Sequence, residues 1–433
     1  MEAADIAFVV ICAALVMLMT PGLAFFYGGM VRVKSALNML MMSFISLGIV
    51  SVLWVLYGFS LTFGSNFTES DDGGLIGNLD FIGFKDLIFT TDGTVNPESA
   101  TTLTFALFQL MFAVLTPALM SGALADRVKF SSWALFVALW VTVVYFPVAH
   151  WVWAADGWLF GEEVIDFAGG TAVHINAGAG ALAAVLVIGK RVGFKKEPMR
   201  PHNLPMVLLG AGLLWFGWFG FNAGSALSPN GTAALMALNT QLATAAAIIG
   251  WLIYERIRHG AFTTLGAASG AIAGLVAITP SGGHVTPMSS LLIGVVAGAV
   301  CAWAVSLKYK LGYDDSLDVV GVHLVGGLIG TLMVGFLASD SVNTIAGGFG
   351  QFGKQALGAF SVLAYSFIVT YVLAQLLQRT IGFRASEEEE VAGLDLAYHA
   401  ETGYDFTQTG TGSVPVSVPA SADAAAGGKK VDA

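Results

Sequence analysis

The sequence predicts an all-α polytopic membrane protein with eleven transmembrane helices. Three observations carry that prediction. The 433-residue chain is 56% hydrophobic and 11% charged, with a mean hydropathy of +0.76, whereas soluble domains carry about 25% charged residues. Eleven apolar stretches reach the roughly 17–25 residues needed to cross a bilayer core. The basic residues then segregate between alternate connections, as the positive-inside rule demands.

The stretches run near 6–30, 39–63, 99–121, 131–153, 168–189, 203–225, 232–254, 262–280, 286–307, 319–337 and 356–379. The eighth and tenth are the shortest and richest in glycine. The first has Glu2 and Asp5 ahead of it and no Lys or Arg. That is unlike a secretory signal with its positive n-region, and it predicts a retained span with the N-terminus outside. With that orientation, seventeen of the nineteen Lys and Arg fall on the cytoplasmic side, leaving Lys85 and Lys354 outside. An error in the span count would scramble this sorting, so an N-out, C-in chain is expected. The 64–98 connection, which holds Glu69, Asp71, Asp72, Asp80, Asp86, Asp92 and Glu98, suits an external loop.

The net charge of −10 is concentrated in loops and tail and points to no nucleic-acid partner. Cys12 and Cys301 both lie in apolar stretches. They imply neither a disulfide framework nor a thiolate metal site. The 53 glycines are nearly twice the usual share of ~7% and mark close helix packing. After Arg384 the chain turns polar. This divides it into a transmembrane domain (1–383), a cytoplasmic tail (384–405) and a disordered C-terminus (406–433).

A weak internal repeat bears on function. VHINAG (173–178) and VHLVGG (322–327) each follow an aspartate, Asp166 by eight residues and Asp318 by five. If spans one to five and six to ten are two halves, their odd span number inserts them upside down relative to each other. His174 and His323 then approach one centre from opposite sides. Eight residues of helix span about 12 Å, which puts Asp166 near the outer end of the fifth span and His174 well inside. Ionisable groups within spans cost about 2.5–3.5 kcal/mol on insertion scales and are functional candidates. Two His and a carboxylate could hold zinc, but no HExxH or third compact ligand accompanies them. Neutral imidazoles at matched positions can instead donate, accept and relay a proton. Aromatic runs at 105–112, 150–158 and 213–226 either form an interfacial belt, the simpler reading for Trp151 and Trp158, or cage a small cation.

FYGGMVRVKSALNM (26–39), DFAGGTAVHINAG (166–178), GWFGFNAGSAL (217–227) and DDSLDVVGVH (314–323), in that order, resemble the signatures of the ammonium transporter (Amt/Mep/Rh) family, Amt branch. The resemblance extends over about 1–405. It implies an external cation site of Trp153, Phe112 and Ser225, with Asp166 supporting it without touching the cation. It implies a gate of stacked Phe112 and Phe221, with Phe108 and Trp218 lining the vestibule and pore, and a hydrophobic channel lined by His174 and His323. It further implies a homotrimer in the plasma membrane with one pore per subunit, no cofactor and no enzymatic reaction. Ammonium or ammonia is the implied substrate, with methylammonium as an analogue. Gly393, Leu394, Asp395, His399, Glu401 and Tyr404 resemble the family's regulatory tail, under which PII-type signal proteins (GlnK) block the pore.

Three departures stand out. Leu324 replaces a frequent Gly and is expected to alter pore packing. Asp126 replaces Glu with its charge kept, and Ala400 replaces a frequent Gly. Individually, Glu387–Glu390 read equally well as a solvated acidic run. The implied activity is conduction of ammonium, split into ammonia and a proton. The alternative is an ammonium sensor signalling through its tail. Dedicated sensors of the family carry an output domain, for which the residues after Arg384 are too few.

Overall fold

The computed structural model describes residues 1–67, 73–89, 94, 96 and 98–404. Among them no strand forms, and the architecture is a bundle of helices. These are α1 (Ala3–Met30), α2 (Val33–Phe63), α3 (Ser99–Leu124), α4 (Phe130–Trp153), α5 (Gly170–Ile188), α6 (Leu204–Gly224), α7 (Gly231–His259), α8 (Thr264–Ile278), α9 (Pro287–Leu311), α10 (Val320–Leu337) and α11 (Phe349–Thr380). Two short helices follow in the tail, α12 (Glu387–Ala392) and α13 (Leu394–His399). Ten of the first eleven are long and apolar enough to cross a membrane, and α8, with 15 residues, is a shorter apolar helix. The stretch expected at 406–433 lies outside the described residues.

Helix ends differ from the apolar stretches where polar residues continue a helix. Arg256, Arg258 and His259 form the last turn of α7, where positive charge favours the helix C-terminus. The left-handed Gly260 then ends it.

Packing repeats between the two halves. α1 packs on α2 and α3, α2 on α3 and α4, and α3 on α5. In the same order, α6 packs on α7 and α8, α7 on α8 and α9, and α8 on α10. α1 runs along α6, α5 crosses α10, and α11 covers both α5 and α10. Small residues permit these approaches. A Cβ on Gly210 of α6 would lie 2.2 Å from the Phe26 amide nitrogen of α1, and one on Gly298 of α9 would lie 2.1 Å from the Ala247 carbonyl oxygen of α7.

The crossing of α5 and α10 is reciprocal. Leu324, the residue after His323, closes on Gly178, where a Cβ would lie 2.6 Å from its own Cβ. Ile175, the residue after His174, closes on Gly327, where a Cβ would lie 3.0 Å from the Ile175 Cγ1. Each glycine is four residues past its own histidine. Leu324 therefore packs between the halves as the counterpart of Ile175.

Candidate pore site

Both histidine-bearing helices start with a π-helical turn, Gly170–Ile175 in α5 and Val320–Leu324 in α10. Such turns frequently mark functional positions. Asp166 lies before the first turn, separated from it by Gly169 at φ 121°. The chain from Asp166 to His174 is thus not one continuous helix, as a helical rise of eight residues assumes. The buried Asp166 carboxylate accepts the backbone N–H groups of Gly169 (2.8 Å), Gly170, Thr171 (2.9 Å) and Ala172 (3.0 Å), together with the Thr171 hydroxyl. It satisfies the orphan donors of the helix start, where negative charge is favoured, and so fixes the turn that delivers His174.

The matching group in the second half is Asp315, not Asp318. Asp315 accepts the N–H groups of Val319 (3.0 Å) and Val320 (2.8 Å) and stands eight residues before His323, as Asp166 stands eight before His174. Asp318, at φ 65°, occupies the place of Gly169 and pairs with Lys308 at 2.6 Å. Equal spacing to the histidine, eight residues in both halves, was the unused sequence signal for Asp315.

On the N-terminal face of the bundle lies a cavity of about 420 Å³, lined among others by Phe112, Trp153, Asp166, Ser225 and His284. The Trp153 indole donates to the Asp166 carbonyl oxygen at 3.0 Å, and the Ser225 hydroxyl donates to the Phe221 carbonyl oxygen at 2.9 Å. Aromatic rings lead inward from it. Trp153 meets Phe112 edge-on at 5.6 Å between centroids, with Phe108 edge-on to Phe112 at 4.9 Å. Phe112 and Phe221 lie 4.3 Å apart and close the floor of the cavity. Below them His174 stacks on Trp218 at 5.5 Å and on His323 at 5.3 Å. The two imidazole Nδ1 atoms are 3.3 Å apart, so one ring donates and the other accepts. The Trp218 indole is held by the Thr279 hydroxyl at 2.9 Å. The His174 Nε2 is buried with no protein partner.

Beyond His323 a narrow space bounded by Phe26, Tyr27, Ile272 and Asp318 continues toward a second cavity of about 500 Å³ on the tail face. Leu317 and Asp318 border both of these spaces. Sequence reasoning missed these inner wall residues, since Phe, Tyr and Ile on apolar helices carry no signal of their own. It also missed His284, which sits in a connection between spans.

The tail folds back onto the bundle. Asp395 accepts the N–H groups of Leu37 (3.0 Å) and Asn38 (2.7 Å) at the start of α2. His399 bonds Asn38 at 3.1 Å and packs edge-on to Phe130. The Tyr404 hydroxyl meets His202 at 3.0 Å. Gly393, at φ 111°, lies where a Cβ would be 2.7 Å from Lys34, while Leu394 is buried and Glu401 is exposed. Glu390 departs from a solvated acidic run. It is fully buried, bonds the Val192 N–H at 2.7 Å and pairs with Arg384 (3.1 Å) and Arg32 (3.5 Å). Val192 and Arg32 lie far away in sequence, and Arg384 six residues back gains its role only when the tail folds onto them, which is why the run looked uniform. Glu387 and Glu388 are exposed, and Glu389 closes a capping box with Ser386. Arg32 continues to Asp126 (3.0 Å), Asp126 to Arg191 (3.4 Å) and Arg191 to Asp314 (2.8 Å).

The sequence model of the Ammonium Transporter Family matches residues 7–404. An ammonium transporter of Mycobacterium tuberculosis is 55% identical over 446 aligned residues, covering 95% of this chain and 92% of the relative. The crystal structure of Saccharomyces cerevisiae Mep2 superposes with a TM-score of 0.81 at 37% identity, covering 90% of this chain and 88% of that one. A structure described as a sensor Amt protein superposes with a TM-score of 0.83 at 32% identity, covering 91% and 98%. From the family match over nearly its whole described length, with the histidine pair and its aromatic approach in place, the chain belongs to the ammonium transporter family.

Proposed function

We propose that the protein takes up ammonium across the plasma membrane through the pore formed by this ring series, with the cavity on the N-terminal face outside. The observation that carries this reading is the unbroken sequence Trp153, Phe112, Phe221, His174, His323. Ammonium reaching the cavity exchanges part of its hydration for the faces of Trp153 and Phe112 and for the Ser225 oxygen. Asp166, with its carboxylate committed to the start of α5, holds the wall in place.

Past the Phe112–Phe221 pair no set of oxygen ligands replaces water around a bare ion, and burying an unpaired charge is costly. The cation therefore gives up a proton at the gate. Neutral ammonia moves along the imidazole edges while the bonded Nδ1 pair of His174 and His323 passes the proton inward. Potassium and sodium have no proton to release and stay outside. The subunits assemble as a trimer, and the tail face receives a PII-type protein. No reaction beyond this proton transfer is assigned, and no observation favours a purely sensory role.

The test is flux and current from the full-length protein in liposomes. The expected result is ammonium-dependent current in the wild type that His174→Ala, His323→Ala abolishes or renders unselective. Unchanged selective current in the double variant would overturn the relay.

A further inference from the structure

The ammonium cavity contains a titratable group that the pore mechanism does not use. His284 lies in the connection between α8 and α9, and its ring lines the same 420 Å³ space as Phe112, Trp153 and Ser225. The backbone pins it from both sides. Its N–H donates to the Ser281 carbonyl at 2.8 Å, and its carbonyl accepts the Ser339 N–H at 2.9 Å. The Phe167 ring stands edge-on to the imidazole at 5.9 Å. The Nδ1 is buried and has no hydrogen-bond partner, which leaves Nε2 as the nitrogen available to the cavity. With the lone pair on Nε2, Nδ1 carries the ring's single proton, and one unpartnered acceptor, the buried Gln109 Oε1, belongs to a residue lining the same space.

Charged groups near the ring are few and committed elsewhere. Asp166 spends its carboxylate on the start of α5, Glu163 pairs with Lys354 at 2.5 Å, and Asp340 is an exposed neighbour of Ser339. Among the described residues, no carboxylate hydrogen-bonds or ion-pairs with the His284 ring, and burial alone governs it. Burial pushes the His284 ring down to about 4, because a second proton would place a charge and an unsatisfied N–H in a desolvated pocket. The ring is neutral at ordinary external pH. A neutral imidazole has one nitrogen lone pair, and ammonium offers four N–H donors, of which aromatic faces and one hydroxyl oxygen leave some unmatched.

We propose that His284 is a further substrate-binding residue, accepting a hydrogen bond from the incoming ammonium through Nε2 and turning from ligand into barrier when it is protonated. This rests on the transport reading above and adds a nitrogen acceptor to the aromatic faces and the Ser225 hydroxyl of the vestibule. Alkali cations, which have no N–H, gain less from a single soft nitrogen than ammonium does.

The experiment measures substrate-induced current from full-length protein in liposomes, as a function of ammonium and methylammonium concentration and of external pH. His284→Gln and His284→Ala remove the imidazole, and His284→Lys places a permanent charge at the same position. In Ala, the half-saturating concentration is expected to rise about fivefold, the worth of one hydrogen bond, with the maximal current within about twofold of wild type. Gln, which offers an amide oxygen, recovers part of the affinity. Lys raises half-saturation beyond Ala at every pH. The wild type loses affinity only as external pH falls toward the low range of this ring, and Ala lacks that acid limb. Wild-type half-saturation and an unchanged acid limb in both Ala and Lys would overturn the proposal while leaving transport itself intact. Absence of ammonium-dependent current in the wild type would instead overturn the transport reading. Each variant is compared with wild type for monodisperse elution and thermal midpoint. A variant failing there is replaced in the comparison by His284→Gln, the closest in size.

Discussion

Leu324 illustrates how a residue flagged only as a departure from family habit acquires a definite packing role. Standing directly after a pore histidine, it was expected to alter the pore. In the structure it closes on Gly178 at the helix crossing, paired by symmetry with Ile175 on Gly327. Leu324→Ala is therefore expected to cost stability rather than selectivity, about 2–4 kcal/mol for a buried leucine. A lowered thermal midpoint with ammonium-selective current retained would match this. A leak to potassium with an unchanged midpoint would contradict it. Glu390 makes the complementary point, because two of its three partners, Val192 and Arg32, fall outside any local window. Glu390→Gln leaves Arg384 without its ion-pair partner and Arg32 with Asp126 alone. A loss of about 3 kcal/mol is expected, read as earlier proteolytic release of the tail.

At the scale of elements, the tail and the π-helical turns show which devices position the site. α13 ends at Ala400 in the left-handed region, φ 55°. A residue with a Cβ is disfavoured there by about 1 kcal/mol relative to glycine. Ala400→Gly should stabilise the docked tail by that amount, measured as slower hydrogen exchange at the amides of Leu37 and Asn38, which Asp395 holds. An unchanged exchange rate would show that the cap does not limit docking. Asp314 offers a test by pH. Burial raises its carboxyl, but the hydrogen bond to Arg191 and the charges of Arg127 and Arg191 outweigh burial and hold it below the usual carboxylate range. A carboxyl depressed in the folded state adds stability above its unfolded value, and that stability is lost as pH falls through the folded one. The tail-face network is expected to loosen only in that acidic window. Arg191→Gln should move the loss to higher pH.

Taken as a whole, the molecule was legible to the extent that hydropathy and charge dictate it. Apolar length located the ten helices long enough to cross a membrane, because a bilayer sets a minimum span and tolerates few charges within it, and it marked the shorter apolar α8 as well. It misjudged ends such as that of α7, where Arg256 and Arg258 extend a helix past its apolar part. The histidine pair was readable because the two imidazoles stand at matching positions of two halves, whereas one alone reads equally well as structural. The error of taking Asp318 for Asp315 arose because turn geometry, not composition, decides which aspartate caps a helix. His284 was invisible because a connection residue gains meaning only from the cavity around it. Orientation can be tested directly. In right-side-out vesicles the tail after Arg384 should resist added protease, while inside-out vesicles should lose it. The reverse pattern would invert the assignment of the two cavities.

The reciprocal wedges at the α5–α10 crossing have a consequence for how the molecule works over time. Many transporters rock two repeats around a fixed site to expose it alternately. Here each half drives a branched side chain against a glycine of the other, beside the histidines themselves. Rocking would have to unseat both wedges at once in a close-packed interior. If both wedges stay seated during transport, turnover should follow the gradient with the shallow temperature dependence of diffusion through a filter, and the steep dependence of a machine that changes shape for every molecule carried would contradict it.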